Sequence, residues 1–126
     1  MTSLQYAKNA YANTTVNTSS SLDLVVLLYD GAIGHLGMAA YYMEKGNISQ
    51  KVYYLSKAMA MVEELLISIN TEIGGDAGRE IAENLQDLYV YMLRELAVAN
   101  ATDDAAKVKN VEGLLKELKS AWDAVR

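Results

Sequence analysis

The chain has 126 residues, a formal net charge of -5, and neither cysteine nor proline. The missing cysteine excludes disulfides, thiolate metal sites and thiol catalysis, and the acidic balance disfavours phosphate backbones and anionic membrane surfaces, so no nucleic acid partner is expected. An apolar content of 52% places the chain among folded proteins, and a chain of this length forms one domain that buries roughly two thirds of its unfolded surface.

Residues 1–19 are polar and rich in Asn, Thr and Ser, which predicts a flexible N-terminal segment. Tyr6 and Tyr11 are its large rings. A solvated tail has little use for exposed rings, so both are candidates to dock on a surface. Met1 to Tyr6 holds no basic region leading into an apolar run, so no signal peptide is expected. No apolar run approaches the ~20 residues that span a bilayer. No membrane insertion is expected, and the predicted address is cytoplasmic.

A first helix is predicted over about 21–45, with Ser20 as N-cap and Asp23 placed as in a capping box. Its apolar stripe is Leu22, Val25, Val26, Tyr29, Ile33, Leu36, Ala40 and Met43, stepping by three and four. Gly46-Asn47 is the stop signal. A second helix follows over about 48–72, capped by Asn47, with the stripe Val52, Leu55, Met59, Val62, Leu66, Ile69 and Ile73. Gly74-Gly75 punctuates the chain. The third helix is expected over about 78–100 with Ile81, Leu85, Leu88, Met92, Leu96 and Ala99. After a turn with Thr102 and Asp103 as cap candidates, a fourth helix covers about 104–125. Its stripe Val108, Val111, Leu115, Leu118, Trp122 and Val125 is a heptad seam.

Helices joined by short turns must be antiparallel neighbours. The expected fold is therefore all-α, an antiparallel up-down-up-down four-helix bundle over residues 20–126, preceded by the N-terminal segment.

Chemistry is hard to build from these residues, and no enzyme activity, metal or cofactor is expected. A di-iron bundle needs Glu-x-x-His motifs, but the single histidine, His35, has Ala32 three residues before it. A haem ligand pair of His35 with Met59 or Met92 competes with the commoner role of Met as core filling. A phosphotransfer reading of His35 is the main alternative, yet Met38 and Ala39 stand where a Lys and a Gly would hold the phosphoryl group. No Ser sits in a nucleophile elbow, and Gly74, Gly75 and Gly78 lack the Gly-Lys-Ser/Thr of a phosphate loop. No small-molecule substrate is expected.

Apolar residues remain after one stripe per helix is assigned. Tyr53, Tyr54, Met61, Leu65 and Ile67 stand off the second stripe, and Tyr89, Tyr91 and Leu93 off the third. The chain has 9 tyrosines and no phenylalanine. Tyrosine suits a surface that is wet when free and dry when bound, and grooves of this kind receive a partner's amphipathic helix. A generic helical adaptor would satisfy the same pattern.

Four strings, in order, resemble the FliS family of flagellin-specific secretion chaperones. They are Val16-Asn17-Thr18 before the Ser cap, Leu27-Leu28-Tyr29-Asp30-Gly31-Ala32-Ile33, Ile81 through Met92 with Leu96 and Ala99-Asn100, and Leu114 through Leu118 with Trp122. The resemblance runs from about Tyr11 to Trp122. One departure is Ser21, where the family has Pro at the first helical residue. The resemblance implies a cytoplasmic export chaperone that binds the disordered C-terminal region of flagellin, prevents premature polymerisation and delivers it to an export gate component. It also implies that the N-terminal segment, with Tyr6 and Tyr11, is a mobile flap over part of the binding surface. The candidate partner-binding residues are Tyr6, Tyr11, Tyr53, Leu65, Asn84, Tyr89 and Tyr91.

Overall fold

The computed structural model describes Tyr6, residues 21–69 and residues 75–125. Four helices follow one another: α1 (Ser21–Glu44), α2 (Ile48–Ile67), α3 (Gly75–Thr102) and α4 (Ala105–Val125). They close into an all-α bundle. Helix α1 packs most heavily on α2 and next on α4, while α3 closes the ring against α2 and, most sparsely, against α4. Ser20, Tyr11 and Ile73 lie outside the described residues.

Local chemistry explains the turns. Gly46 stands at φ 72°, a left-handed conformation that glycine adopts without Cβ strain. The Asn47 N–H donates to Tyr42 O at 3.0 Å and the Gly46 N–H to Met43 O at 3.2 Å, the paired bonds of a Schellman stop. Asn47 then caps α2, its Oδ1 accepting from the Gln50 N–H at 3.1 Å. The second turn repeats the stop without glycine. Asp103 takes φ 53°, and the Asp104 N–H donates to Ala99 O at 3.1 Å. The N-cap of α4 is Asp104, which accepts from the Lys107 N–H at 3.2 Å, rather than Thr102 or Asp103. Thr102 donates its hydroxyl back to Val98 O at 2.8 Å.

Two boundaries differ from expectation. Helix α2 stops at Ile67 rather than near 72, with Ser68 as its C-cap. Helix α3 starts at Gly75 rather than 78, with Asp76 in its first turn, where a carboxylate complements the helix dipole.

The core contains Val25, Val26, Tyr29, Leu36 and Met43 of α1, Leu85, Met92 and Leu96 of α3, and Val108, Val111, Leu115 and Trp122 of α4. The α2 seam is rotated from the expected stripe. Lys51, Leu55, Ala58, Val62 and Leu65 are buried, whereas Val52 is 41% exposed and Met59 and Leu66 are only partly covered. Apolar residues such as Val52, Tyr53 and Ile67 also stand on the exposed side of this helix, so periodicity alone does not say which side faces inward. Contact with α1 decides: a Cβ on Gly31 would come within 2.5 Å of Met61 Sδ, so glycine lets the two helices approach closely.

Helix α1 is long and apolar enough, by length and composition, to cross a membrane, contrary to the sequence expectation. Here its apolar side is occupied by the bundle core. Ion pairs stitch three of the four seams. Lys51 meets Asp103 at 2.6 Å, Lys107 meets Glu95 at 3.6 Å, and Lys109 and Lys119 meet Glu44 and Asp30 at 2.8 and 2.9 Å. The Asp30 carboxylate raises the pKa of Lys119 by favouring its charged form. The α1–α2 seam is instead faced with aromatic rings.

Candidate functional site

The structure distributes the sequence-predicted contact residues over three environments. Leu65 and Tyr89 are fully buried members of the core. Their expected place on a binding surface is thereby corrected: the rotated α2 seam turns Leu65 inward, and Tyr89 lies on the inward side of α3. The Tyr89 hydroxyl shares a 2.5 Å hydrogen bond with the Tyr29 hydroxyl across the bundle, between helices that are not ring neighbours. Trp122 packs on Tyr29 with ring centroids 6.5 Å apart. Burial pushes the Tyr29 pKa up to about 12, partly opposed by hydrogen bonding from Tyr89 and Trp122.

Asn84 and Tyr91 are exposed on α3. They stand seven residues apart with Val98 seven further on, so all three form one row along the helix. Leu88 lies between Asn84 and Tyr91 on the same side and is partly buried. The Tyr91 hydroxyl donates to Glu95 Oε1 at 3.2 Å, and this acceptor raises its pKa. Glu95 in turn pairs with Lys107 of α4, which orients the row toward the α3–α4 seam. On α4, Leu114 and Leu118 share the side of Lys107 and are partly buried. This seam is the most loosely packed in the bundle. Along it the exposed α3 row and the half-buried leucines of α4 form a surface of mixed apolar and polar character.

Tyr53 belongs elsewhere. It is 51% exposed on the outer side of α1 and α2, edge-on to Tyr54 at 5.0 Å. Tyr54 stacks on Tyr42 at 5.8 Å, and Tyr41 meets Tyr42 edge-on at 5.1 Å. Sequence reasoning missed this cluster, although two Tyr-Tyr doublets flank the Gly46-Asn47 turn. Tyr6 is helical and half-buried, and Tyr11 lies outside the described residues.

The alternative centred on His35 gains little. Its ring packs on Tyr54 at 5.9 Å, and among the described residues no group of His, Asp and Glu is arranged to hold a metal ion. The features that stand out are surfaces: besides the tyrosines, Ile67, Ile48 and Leu27 are 74%, 68% and 64% exposed. Contiguous exposed apolar area marks interaction sites.

Comparison with known proteins agrees with that character. Residues 3–126 match the family model described as flagellar protein FliS. The flagellar secretion chaperone FliS of Salmonella typhimurium is 37% identical over 92% of this chain and 87% of its own length. That of Vibrio cholerae is 33% identical over 98% of this chain and 88% of its own length. The Bacillus subtilis protein of the same name is 29% identical over 94% and 85%. With the fold and its bare apolar surfaces in view, the match over nearly the whole chain places this protein in the FliS family of flagellar secretion chaperones.

Proposed function

We propose that this chain is a cytoplasmic chaperone whose client is the C-terminal segment of flagellin, held in a form that cannot polymerise until it reaches an export gate component. The observation that carries the reading is the apolar surface left after the core is complete, above all the Asn84–Tyr91–Val98 row beside Leu114 and Leu118. A client that is disordered before assembly pays an ordering cost on binding, and a broad apolar surface offsets it. Asn84 supplies an amide at the rim for client backbone, while Tyr91 presents an apolar face with a polar tip. Tyr6 and Tyr11 are proposed as further client contacts. Binding without chemistry is the proposed activity.

Titration calorimetry of the full chain with a peptide of about the last 40 residues of its organism's flagellin tests this, with circular dichroism of the mixture. Tight binding, a negative heat-capacity change and a gain in helix are expected. No heat at two temperatures and no helix gain would refute flagellin as the client. An acid-labile phosphoryl adduct on His35 after treatment with acetyl phosphate would favour the phosphotransfer reading instead.

A further inference from the structure

We infer that the outer face of α1 and α2 is a second docking surface, built for an acidic amphipathic helix of a protein partner other than the client. The face is continuous. Tyr42 and Tyr54 stack nearly parallel, 4° apart in plane. Tyr41 and Tyr53 flank that pair edge-on, and each is about half exposed. At the turn end, Tyr42 also walls a cleft of about 170 Å³, shared with Met43, Ile48, Lys51 and Asp103. Rings give large contact area at little entropy cost, and a cleft beside them takes one projecting side chain.

Charge selects the occupant. Five lysines, Lys51, Lys107, Lys109, Lys116 and Lys119, are paired with carboxylates. Among the described lysines, only Lys45 and Lys57 are not. Each instead lies over a ring of this face: Lys45 over Tyr41 at 5.5 Å and Lys57 over Tyr53 at 4.9 Å. Glu44, the nearest carboxylate in sequence to Lys45, is turned away to Lys109 of α4. In a chain of net charge -5, the two described lysines without a carboxylate partner thus both lie on this aromatic face. Both ammonium groups reach back by about one turn to the ring row, Lys45 along α1 to Tyr41 and Lys57 along α2 to Tyr53, so they flank the rings from the two helices. Carboxylates on either side of an apolar stripe match that arrangement on a partner helix. Because this face lies across the bundle from the α3–α4 seam, both can be occupied together.

The test uses the full-length chain and a labelled synthetic helix with a Leu/Ala stripe flanked on both sides by Glu residues. Fluorescence anisotropy gives its affinity for the wild type, for Lys45→Glu/Lys57→Glu and for Tyr53→Ser. The probe is expected to bind the wild type, to lose affinity as salt rises, and to bind the double variant at least about tenfold more weakly. Tyr53→Ser is expected to weaken it as well, with circular dichroism and urea midpoint unchanged in both variants because the altered side chains are exposed. Equal affinity for wild type and variants, equal binding of a peptide with Lys in place of Glu, or displacement of the probe by the flagellin peptide would each overturn the proposal. Tighter binding of a single-stranded oligonucleotide than of the acidic helix would overturn it too.

Discussion

Lys51 of α2 closes the C-terminus of α3: its ammonium donates to Asp103 Oδ1 at 2.6 Å and to the Asn100 carbonyl at 3.1 Å. The side chain is nearly buried, while that of Asp103 is 63% exposed. A cation at a helix C-terminus is favourable to the macrodipole, and here it also occupies an otherwise unpaired carbonyl. Asp103 meanwhile holds a left-handed φ of 53°. Asp103→Gly relieves the backbone strain but loses the ion pair; Asp103→Ala loses the pair and keeps the strain. Alanine is therefore expected to cost more than glycine, by about 1 kcal/mol. Lys51→Ala, which also removes a packed aliphatic stem, is expected to cost roughly 1–2 kcal/mol. Urea unfolding midpoints check all three, and an alanine variant as stable as the glycine variant would contradict the strain argument.

The Tyr29–Tyr89 bond predicts an alkaline limit. Tyr29 is neutral in the folded state up to about pH 12, whereas a tyrosine in the unfolded chain ionises near 10. Below pH 10 both states are protonated and the folded chain keeps its full stability. Between 10 and 12 the unfolded state alone loses the proton, so stability falls by roughly 1.4 kcal/mol per pH unit from this group. Tyr29→Phe removes the titrating group. Its stability should start lower at neutral pH, because Tyr89 loses a buried partner. It should then fall less steeply above pH 10. Denaturation at pH 9 and pH 11 gives the two slopes, and parallel slopes would sink the assignment.

Gly34 and Gly113 lie inside α1 and α4 with nothing within 4 Å of a Cβ placed on either. Glycine inside a helix is less favourable than alanine, mainly through backbone entropy. Gly34→Ala and Gly113→Ala are each expected to stabilise the chain by roughly 0.5–1 kcal/mol. Gly31→Ala should gain less or nothing, since its Cβ meets Met61, whose flexible end must shift. Thermal melts of the three variants give the ranking.

The parts of this fold legible in sequence are those where one signal dominates. Gly46-Asn47 could be read as stop and cap because glycine supplies the left-handed residue and Asn47 the side-chain acceptor. The α4 seam was legible because polar residues separate its apolar ones; Val108, Val111, Leu115 and Trp122 are buried as expected. The α2 seam was not. Its side of burial is set by α1 and by the reach of Lys51 to α3, both tertiary facts, and a buried lysine is the residue a hydrophobic pattern overlooks. The seven-residue spacing of Asn84 and Tyr91 is visible in sequence, but that their row faces α4 needed the Glu95–Lys107 pair. The tyrosine face needed the α1–α2 turn to bring its doublets together.

That distinction between seam and surface can be measured at Leu65 and Tyr91. Both stood off the expected apolar stripes, yet one is fully buried and the other 37% exposed. Leu65→Ala removes buried methyl groups and leaves a cavity, which typically costs 2–5 kcal/mol. Tyr91→Ala removes an exposed ring and its bond to Glu95, and should change stability by less than about 1 kcal/mol. The order reverses for client affinity. With Leu65→Ala kept folded at low temperature, flagellin-peptide binding should stay near the wild-type value. Tyr91→Ala should weaken it by more than about 1 kcal/mol if the ring anchors the client. Calorimetry on both variants, paired with urea midpoints, separates the two roles. A Tyr91 variant with wild-type affinity would move the client off the α3–α4 seam, and a Leu65 variant with wild-type stability would show that its side chain is not part of the core.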